Sequence, residues 1–321
     1  MRAIVVNEIG GPEVLELRDV EHPRPAPGDL LVETAAIGVN FIEIYQRSGV
    51  YKRSTPFIPG AEAAGTVLEV GEGVTGFAPG DRVATAGATA GTYAERFVVP
   101  AAQAARVPDG VDLETAAALP LQGCTAHYLA TSAAHPQPGD TVLVHAGAGG
   151  VGLLLTQLLA ARGVRVLTTA SSEAKRQLSL DAGAEQSFGY AGFGGLAREL
   201  TDGEGVAVVY DGVGRDTFDE SLGALRLRGE MVLFGGASGQ VPPFDLQRLN
   251  AGGSLSITRP SLGHFMRTPE EREWRYRELF DALSSGALTT RIGERFALAD
   301  AADSHRALAG RGTTGKLILV P

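Results

Sequence analysis

Gly147, Gly149 and Gly152 stand in the spacing G-x-G-x-x-G inside the stretch Thr141–Gly152, TVLVHAGAGGVG. The residues before them read as a short buried strand, Thr141–His145, and those after as an apolar helical run, Leu153–Ala161. A strand, a glycine turn and a helix start can cradle a dinucleotide pyrophosphate. The backbone of such a loop, here Gly147, Gly149, Gly150, Val151 and Gly152, approaches the phosphates, and the helix N-terminus supplies N–H groups and partial positive charge. The next predicted strand, Val164–Ala170, lacks a terminal Asp or Glu to hold a free ribose 2′-hydroxyl. It ends in Ser171 and Ser172, with Lys175 and Arg176 close behind. Polar and basic residues there suit a 2′-phosphate, so NADP(H) is the expected cofactor. The spacing alone also fits an ordinary glycine turn; the two flanks and the basic replacement favour the dinucleotide.

No other titratable pattern is as specific. The six histidines show no metal-ligand spacing, and His145, at the end of the first nucleotide-domain strand, reads as a hydrogen-bonded structural residue. The single cysteine, Cys124, leaves no partner for a disulfide or a multi-cysteine metal site, and it points to a reducing, cytoplasmic setting. A net charge of −9 disfavours nucleic acid as a ligand, which needs a basic face, while a local basic pocket for one nucleotide phosphate stays compatible with it. No segment approaches the ~20 apolar residues of a membrane span. Asn7 and Glu8 interrupt the first apolar run, which argues against a signal peptide.

The 321 residues suffice for two domains. Up to about residue 110, short apolar runs alternate with glycine and proline turns: Ala3–Val6, Leu30–Thr34, Gly65–Val70, Arg82–Ala86 and Arg96–Val99. That rhythm predicts a β-rich unit, partly closed into a barrel. Pro-Gly-Asp turns introduce apolar strands at Pro27, Pro79 and Pro138. Glu114–Leu119 and Thr125–Ala134 read as helical. From Thr141 strands and helices alternate, with strands at Thr141–His145, Val164–Ala170, Gln186–Phe188, Val206–Asp211, Glu230–Phe234 and Ser254–Thr258. Alternation of this kind predicts an α/β, doubly wound parallel sheet. The tail, with a helix near Glu270–Ser284, a strand near Glu294–Ala297, a helix near Asp300–Ala309 and a strand at Lys316–Val320, is too short for a domain of its own and is expected to return to the N-terminal unit.

Several stretches together carry a resemblance: Gly10–Leu15, Gly38–Glu43, Arg47–Gly49, Pro59–Gly65, His145–Gly152, Tyr210–Asp216 and Thr258–Ser261. Over nearly its whole length the chain resembles the zinc-independent quinone reductases of the medium-chain dehydrogenase/reductase superfamily. The resemblance implies a GroES-like catalytic domain at 1–123, a Rossmann domain at 124–260 and a C-terminal segment, 261–321, that returns to the first. Zinc-dependent members place ligands at the positions of Asn40, Ala61 and Leu121; Asn, Ala and Leu cannot make an N/S-rich zinc shell.

The same resemblance implies a nicotinamide pocket lined by Asn40, Tyr45 and Tyr51. It places Thr125 under the ring, though Thr is also a common helix N-cap. Phe234, Gly235 and Gly236 then lie at the carboxyl edge of the sheet, and Lys175, Tyr190 and Arg311 at the 2′-phosphate. Glu43 and Glu62 are open to a role as acids or to pairing with a nearby arginine. The implied activity is NADPH-dependent reduction of a small planar quinone or enone without metal. An enoyl-thioester reductase and a low-turnover, crystallin-like NADPH-binding protein remain alternatives. The resemblance further implies a homodimer, formed through the edge strand Ser254–Thr258.

Overall fold

A computed structural model describes all residues, Met1–Pro321. In chain order the first part holds β1 (Arg2–Val5), β2 (Glu16–Asp19), β3 (Asp29–Val39), α1 (Phe41–Arg47), β4 (Ala63–Val70), β5 (Arg82–Thr85), β6 (Arg96–Pro100), β7 (Ala104–Arg106) and α2 (Leu113–Ala117). The middle follows with α3 (Pro120–Tyr128), β8 (Thr141–Val144), α4 (Gly150–Ala160), β9 (Arg165–Thr169), α5 (Glu173–Asp181), β10 (Gln186–Phe188), α6 (Phe193–Glu199), β11 (Val206–Asp211), α7 (Phe218–Ala224), β12 (Leu225–Leu233), α8 (Gln247–Ala251), β13 (Ser256–Thr258) and α9 (Leu262–Phe265). The tail is α10 (Pro269–Ser284), β14 (Ile292–Ala297), α11 (Ala301–Ala309) and β15 (Lys316–Val320). Two compact units result, Met1–Cys124 with Thr268–Pro321, and Thr125–Arg267.

The first unit is built on a sheet ordered β14-β15-β3-β4-β5-β7, with β6 also paired to β3. The tail strand β15 runs antiparallel to β3, with Ile318 opposite Gly38. Its Leu317 and Leu319 share one core with Ile4, Val32, Tyr93 and Phe97. Local chemistry sets its helices: Thr268 and Glu271 form a capping box, with Pro269 in the first turn, at the start of α10. Asp112 caps α2 through the Thr115 N–H at 2.9 Å.

The second unit is a six-stranded sheet ordered β10-β9-β8-β11-β12-β13, with every adjacent pair parallel. Strands β8 and β11 are buried at every position, as a parallel sheet covered on both faces requires. The predicted strand at Glu230–Phe234 begins earlier, at Leu225, which pairs with Val206 of β11 before the register shifts to Val208 opposite Glu230. Thr125 sits inside α3 rather than capping a helix: Pro120 starts that helix five residues before the predicted start.

Candidate functional site

In the second unit the glycine loop links β8 to α4, whose N-cap is Gly149. A Cβ added at Gly152 would lie 2.3 Å from the Ala146 carbonyl oxygen and 2.8 Å from the Gly147 Cα. Only glycine lets the first turn of α4 close so tightly on the strand it leaves. Gly147 is tied to the neighbouring strand by its N–H, which donates to the Thr169 carbonyl at 2.9 Å.

A buried polar network holds this edge of the sheet. His145 Nδ1 pairs with the Thr169 hydroxyl at 2.8 Å, and Nε2 with the Ser221 hydroxyl at 2.9 Å. Asp211 accepts from the Val213 N–H at 2.7 Å, the Gly214 N–H at 2.9 Å, the Thr217 hydroxyl at 2.6 Å and the Ser221 hydroxyl at 3.3 Å. Its carbonyl accepts the Phe234 N–H at 2.9 Å, which pins Phe234, Gly235 and Gly236 beyond β12. Burial pushes the His145 imidazole down to about 4, against the charge of Asp211. His145 is therefore a neutral strut between β9 and α7, as its sequence position suggested.

The residues expected at the 2′-phosphate divide between the units. Ser172 caps α5 by accepting the Lys175 N–H at 3.3 Å, which sets Ser171 before the helix and Lys175 in its first turn. Partial burial lowers the pKa of the Lys175 ammonium. Tyr190 follows β10, the partner of β9, and its ring is stacked near that of His145 at 6.2 Å between centroids. Arg311 belongs to the first unit, exposed in the turn between α11 and β15 with φ of 56°.

In the first unit Asn40 is the N-cap of α1, and Tyr45 and Tyr51 form a ring pair 5.2 Å apart. Asn40 is 3% exposed and its amide is largely committed inward. Its Oδ1 accepts from the Lys316 ammonium at 2.6 Å, and its Nδ2 donates to Glu62 Oε2 at 3.0 Å and to the Gly38 carbonyl at 3.3 Å. Lys316 also pairs with Glu62 Oε2, and Glu62 Oε1 accepts the Leu121 N–H at 2.6 Å. Glu62 thus pairs with a lysine rather than with an arginine. Glu43 accepts the Asn40 N–H at 2.7 Å through Oε2, while Oε1 has no partner. A Cβ on Gly38 would fall 2.1 Å from Glu62 Oε2 and 2.7 Å from Lys316 Cε, so glycine makes the room for this ion pair. Burial pushes the Glu43 carboxyl up to about 7, with Lys316 pulling the other way. Cys124, nearby in the chain, is buried, and burial pushes its thiol well up.

Residues 26–109 match the alcohol dehydrogenase GroES-like domain and residues 150–282 the zinc-binding dehydrogenases. A quinone oxidoreductase of Pseudomonas aeruginosa is 44% identical over 97% of both chains. A mycobacterial protein solved in complex with NADPH shares 53% identity with a TM-score of 0.97, each chain covered completely. The NADPH complex of the Escherichia coli quinone oxidoreductase shares 40% identity at the same TM-score, again over 100% of both chains. The chain belongs to the quinone oxidoreductase family of the medium-chain dehydrogenases/reductases.

Membership of this family sharpens the question of zinc, which the name of the second matched domain raises. The donor set does not fit it. Asn40, Ala61 and Leu121 offer no thiolate or imidazole, and Lys316 sets a buried ammonium on the two polar side chains there, Asn40 and Glu62. The Lys316 ammonium already pairs with the Glu62 carboxylate, and a metal cation beside it would be repelled. Lys316 escaped the sequence reading. Its signal was a lone lysine opening an otherwise apolar strand, matched by a lone glutamate in the run Ala61–Ala64, 254 residues away.

Proposed function

We propose that this chain reduces quinones or related conjugated carbonyls with NADPH, without a metal, as a cytoplasmic homodimer. The observation that carries the reading is the Lys316 ammonium fixed on Glu62 and Asn40, in a chain whose quinone oxidoreductase relatives are solved with NADPH. Without a Lewis acid the acceptor must spread its own charge. A quinone does so, because two electrons and two protons convert it to an aromatic hydroquinone. Bound NADPH supplies a hydride, and the second proton comes from solvent.

In this reading residues 1–123 with 261–321 form the catalytic domain and 124–260 the nucleotide domain. The loop Gly147, Gly149, Gly150, Val151 and Gly152 holds the pyrophosphate with the N–H groups of α4. Ser171, Lys175, Tyr190 and Arg311 hold the 2′-phosphate, with Lys175 as a point charge and Arg311 offering two parallel N–H donors. Thr125 packs under the nicotinamide, and Phe234, Gly235 and Gly236 border it with their backbone. Asn40 and the Tyr45–Tyr51 ring pair face a planar acceptor and exclude water from it.

An electron-acceptor screen with NADPH and NADH side by side tests this function. NADPH should be oxidised by quinones, and Lys175→Ala should cut the preference for NADPH over NADH about tenfold, the cost of one charge-assisted contact. Bound NADPH that no acceptor oxidises, or faster turnover with a crotonyl thioester, would overturn the reading.

The homodimer is supported by the position of β13, which ends its sheet with an unpaired edge, and by the exposed side chains of Leu227 (73%) and Leu246 (71%) in the same unit. Light scattering should return twice the 33.3 kDa chain mass; the single-chain mass at micromolar concentration would remove the dimer.

A further inference from the structure

Glu43, Glu62 and Lys316 are all buried and come together from α1, the residue before β4 and the start of β15, and none of them touches the acceptor in the reading above. Two carboxyls share one ammonium. With both carboxyls ionised these three side chains sum to one negative charge in a dry interior, with the guanidiniums of Arg47 and Arg53 as the nearest further cations on and beyond α1; with Glu43 protonated the three sum to zero. Glu43 is the member that holds the proton. Glu62 Oε2 accepts from both Lys316 and Asn40, and its Oε1 accepts from Leu121, whereas Glu43 has one N–H donor and one empty oxygen.

We propose that Lys316, Glu62 and Glu43 are positioning residues for the reductase reaction, acting through Asn40 as a charge switch: with Glu43 protonated the cluster is neutral and hydride transfer proceeds, and with Glu43 ionised its buried negative charge opposes the charge arriving on the acceptor. The inference rests on the reading that Asn40 borders the acceptor. The Lys316 ammonium fixes which way the Asn40 amide points, since Oδ1 must face it and Nδ2 must face Glu62. Charge appearing on an acceptor oxygen beside this group is sensitive to its net charge because little water screens it.

Two further groups act on Glu43, and neither changes its own protonation near neutrality. Arg53, half-buried beyond α1, and Tyr93, whose hydroxyl is hydrogen-bonded to His305 Nε2 at 3.1 Å, interact with it electrostatically. Burial raises the pKa of Tyr93, so its hydroxyl stays protonated near neutrality, and the Arg53 guanidinium stays charged because arginine does not lose its proton in proteins. The Glu43 carboxyl, pushed up to about 7 by burial, is the group that changes.

The test is single-turnover oxidation of bound NADPH by a quinone across the pH range, on the full-length protein. The wild-type rate should fall about tenfold between about pH 6 and about pH 9, the effect of one poorly screened charge at a few ångströms beyond contact. In Glu43→Gln that ratio should shrink to within about twofold, because the switch has lost its proton. In Glu62→Gln the midpoint should move to lower pH, since the Glu62 charge raises the Glu43 carboxyl. Lys316→Arg should keep the wild-type midpoint more closely than Lys316→Met, which should raise it. Infrared titration of the free protein supplies a readout independent of turnover: a protonated-carboxyl band that disappears near neutrality in the wild type and is missing in Glu43→Gln. A falling limb that survives in Glu43→Gln, or a midpoint unmoved in Glu62→Gln, overturns the switch while the reductase reading stands. Failure of the wild type to reduce any quinone overturns both.

Discussion

Replacing Gly152 by alanine should weaken NADPH binding about a hundredfold, the typical cost of an ångström-scale misplacement of a binding or catalytic element. The new Cβ would lie 2.3 Å from the Ala146 oxygen and 2.8 Å from the Gly147 Cα, both of them backbone atoms that cannot swing aside. Relief therefore requires α4 to move away from β8, or the loop to open. Ala146 already holds a left-handed φ of 53°, so the turn has little freedom to absorb the change. Either movement takes the N–H groups of α4 off the position proposed for the pyrophosphate. Titration of NADPH by fluorescence measures the effect, with circular dichroism confirming that the variant is folded. A dissociation constant within about fivefold of wild type would show that this loop does not depend on close approach at Gly152.

Asp211→Ala should destabilise the second unit by about 3–5 kcal/mol, because the buried carboxylate ends four hydrogen bonds and its loss strands several donors. The buried Val213 and Gly214 N–H groups lose their acceptor, the Thr217 hydroxyl keeps only the Gly214 carbonyl at 3.1 Å, and Ser221 keeps only His145. For a unit of this size the melting temperature should drop by about 10 °C. Asp211→Asn should fall between the two, since one amide oxygen still accepts but the NH2 group faces donors. The same loss should loosen Phe234–Gly236, whose leading N–H is bound to the Asp211 carbonyl. A melting temperature within about 2 °C of wild type for Asp211→Ala would show that the network is not what holds this edge together.

Much of this was legible in the sequence. The second unit announces itself because a parallel sheet covered on both faces needs unbroken apolar strands, and Thr141–Val144 and Val206–Asp211 are such runs. The glycine loop is legible for the same local reason: tight turns and close backbone approach restrict residue type within a few positions. The cap that Ser172 gives α5 was not read, although a serine just after the predicted strand Val164–Ala170 is a residue type that favours that position. The short helix α1 was not read either, since seven residues carrying Glu43 and Arg47 on their buried side show no apolar stripe.

The sequence by itself determined the glycine turn that joins β8 to α4 and the lack of Cys and His at positions 40, 61 and 121, because both depend on residue types within short windows. Only the tertiary structure decided what stands around Asn40. The Lys316–Glu62 pair joins positions 254 residues apart, and it exists because β15 crosses back beside β3, where Gly38 leaves space for it. A buried charge is tolerable only when its partner arrives, and the arrival of that partner is a property of strand order rather than of neighbouring residues.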